Sequence, residues 1–191
     1  MKNIDNFLKI AEHYYSSAIL YDDTSEHLRL LDKISEARYD KKLQAVLLKS
    51  ITNIFKSPQF ETEYYTRYSM LDRSHLFRVE NLLLSNKERI CDIIIGVSFL
   101  APYFCIYQRE TIIDFDENGN RGYQSYNLNL DEFSFVKMES ILKVRTLLEN
   151  MGYSEIKGNQ IVTPMPYFYM CGIPKEEFTL FNVLFKDSLE V

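Results

Sequence analysis

This 191-residue chain predicts an α+β fold: an N-terminal helical region, then a mainly antiparallel sheet with one long packing helix. Three observations carry that expectation. Apolar residues recur at helical spacing through the first third of the chain. After residue 89 the chain turns to β-branched and aromatic runs, and Asn118-Gly119 stands between two of them. Helices that precede strands, rather than alternate with them, speak against a parallel α/β sheet. The length suits one domain, 1–191, helical over about 1–88 and sheet-rich over about 89–191.

The first helix is read from Ile4, Phe7, Leu8, Ala11, Tyr15, Ala18 and Ile19, which follow an i, i+3, i+4, i+7 stripe. Thr24 or Ser25 caps a second, with His27, Leu30, Leu31 and Ile34 on one face. A third has Leu43, Val46, Leu47, Ile51, Ile54 and Phe55 as its stripe and ends at Ser57-Pro58, because the residue before proline avoids the α region. Residues 59–71 fit two patterns. Phe60, Thr62, Tyr64, Thr66, Tyr68 and Met70 alternate as a strand does, yet Phe60, Tyr64, Tyr68 and Leu71 also fit a helix started by Ser57-Pro58. The helical reading is preferred, and 74–85 is read as helix with Ser74 as cap.

Strands are expected over Ile90–Leu100 and Tyr103–Gln108, separated by Ala101-Pro102. Thr111–Phe115 and Gly122–Leu130 flank Asp116-Glu117-Asn118-Gly119-Asn120, a strong hairpin signal. A helix follows from about Phe135 to Asn150, with Met138, Ile141, Leu142, Leu148 and Met151 inward and Gly152 just past its end. Tyr153–Ile156 and Gln160–Thr163 read as a second hairpin, stopped by Pro164 and Pro166. Over 176–187 a helix opened by Pro174-Lys-Glu-Glu competes with a strand from Thr179 to Phe185. In the helix, Phe178, Phe181 and Phe185 face the core.

Charge narrows the partner classes. The chain has 27 acidic and 22 basic side chains. Residues 1–90 balance at +1, while 91–191 carry −6. Nucleic-acid binding depends on neutralising phosphates with Lys and Arg, so the acidic half argues against it and favours a basic protein partner. No apolar signal core is seen near Met1, where Lys9 and Glu12 interrupt the run. Ile93–Gln108 is too short and too broken by Gly96 and Pro102 to span a bilayer. Cys91, Cys105 and Cys171, odd in number and widely spaced, read as reduced thiols in a cytoplasmic protein.

Catalytic patterns are weak. Asp114-Phe-Asp116-Glu-Asn118-Gly119 matches half a calcium loop, but the twelfth position is Ser125 rather than an acid. Asp114, Asp116 and Glu155, with Lys157, resemble the acid-plus-lysine set of a metal-dependent nuclease, the leading enzyme alternative. His13, His27 and His75 all fall in predicted helices and lack a second ligand at metal spacing. Cys91 and Cys105 fall on strands expected to be neighbours. No cofactor, metal or catalytic residue is assigned.

What stands out is surface-type aromatic content near acids. Tyr64, Tyr65, Arg67 and Tyr68 form one cluster, and Tyr167 and Tyr169 another. The acids Asp114, Asp116, Glu117, Asp131 and Glu132 lie on and after the hairpin. Tyr and Arg are interface-anchor types. The expectation is a protein-binding module, most concretely an immunity- or antitoxin-like inhibitor that occludes a basic partner in the bacterial cytoplasm. A nuclease-like enzyme, a structural or sensor subunit and a homodimer are the alternatives.

Overall fold

Caps written in the sequence set where the second and third helices begin. The computed structural model describes residues 2–15, 24–66, 72–165, 168, 173 and 177–186. Helix α1 spans Lys2–Tyr14 and buries Phe7, Ala11 and Tyr14 while Asp5, Lys9 and Glu12 face water. Helix α2, Ser25–Tyr39, starts where Thr24 Oγ1 accepts from the His27 amide at 3.2 Å. Helix α3, Lys41–Ile54, starts where Asp40 Oδ1 accepts from the Leu43 amide at 2.9 Å. Leu47, Ile51 and Phe55 are buried, but Val46, expected inward, is exposed beside the stripe.

The helical region stops earlier than expected. Phe60–Tyr64 is strand β1 and Ser74–Asn81 is strand β2, not helices, so the change of grammar falls near residue 55 rather than 88. Over so few residues, helical and alternating patterns coincide, and strand pairing decides. Strand β2 lies antiparallel between β1 and β3, with Phe77 opposite both Tyr64 and Ile95. His75 therefore sits on a strand as well. Strands β3 (Arg89–Ser98), β4 (Tyr103–Phe115) and β5 (Arg121–Asn129) extend the meander in the order β1-β2-β3-β4-β5. The two runs expected over 103–108 and 111–115 are one continuous strand.

The predicted hairpin between β4 and β5 forms. Gly119 takes φ +78°, the left-handed region that glycine enters without a Cβ clash. The second predicted hairpin does not form. Strand β6, Ser154–Glu155, instead pairs parallel with Tyr103–Phe104, and a 3-10 turn follows at Gly158–Gln160.

Helix α4, Met138–Asn150, carries the chain from β5 to β6. Its buried stripe is Ile141, Val144 and Leu148. Met138 and Leu142, expected inward, are exposed. Leu142 lies about 100° round the helix from Ile141, off the buried stripe. Helix α5, Leu180–Leu184, resolves the competition near the C-terminus in favour of helix. Phe178, Phe181 and Phe185 are buried as expected, and Pro174–Glu176 lie outside the described residues.

The sheet has an apolar layer on each face, which is why β3 reads as an unbroken apolar run. Ile93, Ile95, Val97, Phe104 and Ile106 pack with α3 and α4. Leu76, Ile94, Cys105 and Tyr107 pack with α1, α2 and the C-terminal segment. Gly96 permits a close approach here, since a Cβ would stand 3.1 Å from both Cys105 Sγ and a Phe185 ring carbon. Cys91 and Cys105 fall on opposite faces, opposite Glu110 and Gly96, so the two thiols do not meet. Burial pushes the pKa of each thiol up. Among the described residues no helix is long and apolar enough to cross a membrane.

Candidate functional site

The acids predicted to form one surface divide between two places. Asp114, Asp116 and Glu117 sit exposed at the β4–β5 hairpin tip. Asp131 and Glu132 are also exposed but follow the far end of β5, where their amides donate to Asn129 Oδ1 at 3.1 and 2.9 Å. Strand β5 separates the groups by roughly 27 Å at ~3.4 Å per residue. Asp116 is committed to the turn itself. Its carboxylate accepts from the amides of Asn118 (2.9 Å) and Asn120 (2.7 Å) and from Asn120 Nδ2 (3.0 Å). Those bonds, the Asn120 side chain first, hold its pKa below the usual carboxylate range.

The tyrosines do not join this tip. Tyr64 is half-buried at the opposite end of the sheet, its hydroxyl 2.9 Å from His75 Nδ1 and its ring edge-on to Phe77. Tyr65 is half-buried, with Lys186 Nζ 5.8 Å over its ring. Arg67, Tyr68, Tyr167 and Tyr169 lie outside the described residues, as does Cys171.

What stands beside the acidic tip is an apolar set that sequence reading missed. The β2–β3 loop presents Leu82, Leu83 and Leu84, with Leu83 75% exposed. On the hairpin Ile112 and Phe115 are exposed, and Tyr123 is 74% exposed. Backbone bonds bring loop and hairpin to the same sheet end. Arg89 pairs with Ile112, and the Ile113 amide donates to Glu88 O at 2.8 Å. The loop is built to hold its shape. Asn81 Oδ1 accepts from the Leu83 and Leu84 amides (3.1 and 3.3 Å), while Asn81 Nδ2 donates to Phe135 O (2.7 Å). Lys87 Nζ lies 5.9 Å over the Phe115 ring. Reading 74–85 as one helix hid this feature, because the strand ends at Asn81 and the leucines follow it in the loop. The signal available was Leu-Leu-Leu running directly into Ser85-Asn86-Lys87.

The nuclease-like set is not assembled. Glu155 pairs beside Phe104, ten residues along β4 from Asp114, which is roughly 33 Å at ~3.3 Å per residue. Its carboxylate is held instead by Arg145 Nε at 2.9 Å and Lys157 Nζ at 3.3 Å. Among the described residues no group of three or more His, Cys, Asp or Glu side chains is placed to hold a metal.

A buried ion cluster was also invisible in the sequence. Arg109 grips Asp92 with two bonds, Nε to Oδ1 at 3.0 Å and NH2 to Oδ2 at 2.7 Å. Arg78 Nε stands 3.2 Å from the same carboxylate, and its guanidinium pairs with Glu80 and, at 3.5 Å, with Glu63. Asp92 is fully buried. Its desolvation raises the carboxyl pKa against the two guanidiniums; burial lowers that of Arg109, but the bonds and charge of Asp92 together more than reverse this. These charges pair with one another, a structural arrangement, while Arg78 Nε itself makes no hydrogen bond among the described residues. No protein-family model, curated protein or solved structure matches the chain.

Proposed function

We propose that this chain is a protein-binding module that docks a basic partner on the sheet end formed by the β2–β3 loop and the β4–β5 hairpin. Its most concrete form is an immunity- or antitoxin-like inhibitor that occludes a basic protein domain in the bacterial cytoplasm. The observation that carries the reading is Leu83, Phe115 and Tyr123, exposed on two loops held to one another and flanked by Asp114 and Glu117. Apolar anchors of this size contribute about 1.5–3 kcal/mol each when fully covered, and carboxylates at their rim speed capture of a cationic surface. The −6 balance of residues 91–191 supports the sign of the partner.

The test is capture from the native host on the immobilised chain, alongside a Leu83→Ser/Tyr123→Ser variant with an unchanged melting temperature. A basic protein retained by the wild-type chain, lost at raised salt and lost by the double variant, is the expected result. Equal retention by the variant, or an acidic partner insensitive to salt, refutes the assignment. Self-association that disappears in the double variant assigns the same surface to a homodimer instead.

A further inference from the structure

At the other end of the sheet, the corner where α2 turns into α3 overhangs a cavity of about 190 Å³. Its wall is made by Glu36 and Asp40 from the corner, His75 from β2, Phe99 from the β3–β4 turn, and Tyr153 from the segment entering β6. The volume equals about six waters at ~30 Å³ each and falls below the roughly 300 Å³ at which drug-sized sites begin. It suits a head group or one side-chain tip.

The lining chemistry selects the sign. Lys33 also lines the cavity, but its ammonium is held by Glu36 at 2.5 Å, so that pair is neutral. Among the lining residues this leaves the exposed Asp40 carboxylate; the neighbouring Lys41 does not form part of the wall, and its ammonium reaches Gln44 Oε1 at 3.5 Å. One of the Asp40 oxygens caps α3 through the Leu43 amide and thereby covers the positive end of that helix. The carbonyl end of α2 faces the same corner, and such ends favour cations. His75 adds no opposing charge: burial lowers its pKa to about 4, so the imidazole is neutral at physiological pH. Asp40 acts on both rings across the cavity: it opposes the burial-driven fall at His75 more strongly than Lys41 adds to that fall, and it adds to the burial-driven rise at Tyr153. Phe99 stands edge-on to His75 at 4.9 Å, so aromatic surface lies next to a carboxylate. Aromatic rings beside a carboxylate in a small cavity suit a cation that can lie against a ring face.

We propose that this cavity binds a small organic cation, an ammonium or guanidinium head seated against Asp40 and the rings of Phe99, Tyr153 and His75. An anion would meet Asp40 and Glu36. The site lies roughly 20 Å, the length of β2, from the Leu82–Leu84 loop, so it stands independently of the proposed docking surface.

An isosteric pair tests it. Titration with n-butylguanidinium, followed by NMR at the His75 ring, the Tyr153 ring and the Leu43 amide, is expected to give saturable shifts. N-butylurea, which has the same shape without the charge, gives none. Asp40→Asn retains the helix cap, since Asn caps as well as Asp, and weakens guanidinium binding about fivefold or more. Lys33→Met frees Glu36 and tightens it. The blocked peptide acetyl-Gly-Arg-Gly-amide distinguishes the source of the head group. Binding equal to butylguanidinium assigns the cavity to a partner's basic side chain, and binding of butylguanidinium alone assigns it to a free cation. Urea binding as well as guanidinium, an Asp40→Asn titration identical to wild type, or shifts absent from His75 and Tyr153 would overturn the proposal.

Discussion

Asp92→Asn is the substitution whose cost the structure specifies most closely. The carboxylate is fully buried and receives two bonds from Arg109, itself 4% exposed, with Arg78 Nε 3.2 Å away. The amide has nearly the same volume, so packing is preserved while the negative charge is lost. Arg109 then lies in the interior without a counter-charge, and one of its two bonds meets an NH₂ instead of an acceptor. Removing one partner of a buried pair costs about 3–5 kcal/mol, whereas replacing both with apolar residues of similar volume is often neutral or stabilising. Asp92→Asn and Arg109→Met are each expected to lose that amount. Asp92→Leu/Arg109→Met is expected to lie near wild type, because Arg78 keeps Glu80 and Glu63. Urea unfolding followed by circular dichroism measures this as a fall in midpoint at constant slope. At roughly 2–4 °C per kcal/mol, each single variant melts about 6–20 °C lower. A loss under 1 kcal/mol for Asp92→Asn, or a double variant as weak as the two singles summed, would refute the reasoning.

His75 has a folded pKa of about 4, so between about pH 6.5 and pH 4 the unfolded chain takes up a proton that the folded chain refuses. Stability from this group is therefore complete above pH 6.5 and falls by about 3 kcal/mol as pH drops to 4; His75→Gln should flatten that part of the urea-midpoint profile. NMR titration should find the His75 ring still neutral at pH 5. Gly96→Ala places a methyl 3.1 Å from Cys105 Sγ and the Phe185 ring, for an expected loss of about 1–2 kcal/mol by the same urea assay. Tyr15→Phe removes a buried hydroxyl that donates to Val183 O at 2.9 Å, for a loss of about 1 kcal/mol and faster hydrogen exchange in α5.

Local chemistry was legible in the sequence where it acts over a few residues. Thr24 caps α2, Asn118-Gly119 turns the β4–β5 hairpin, and Gly152 follows the end of α4 with φ +89°, each because the side chain or its absence sets its own backbone. The α+β order and the buried Phe178, Phe181 and Phe185 were legible for the same reason: apolar periodicity survives folding. Tertiary structure decided the rest. Residues 74–81 became a strand because β1 and β3 pair on either side, and Ser154–Glu155 joined β4 in parallel because α4 carries the chain back to the edge. The site depended on these choices. Leu82–Leu84 is an exposed loop only because β2 ends at Asn81, and Asp92 meets Arg109 only through the register of β3 on β4. Hydrogen-bond register joins residues far apart in the chain, and no local pattern of side chains encodes it.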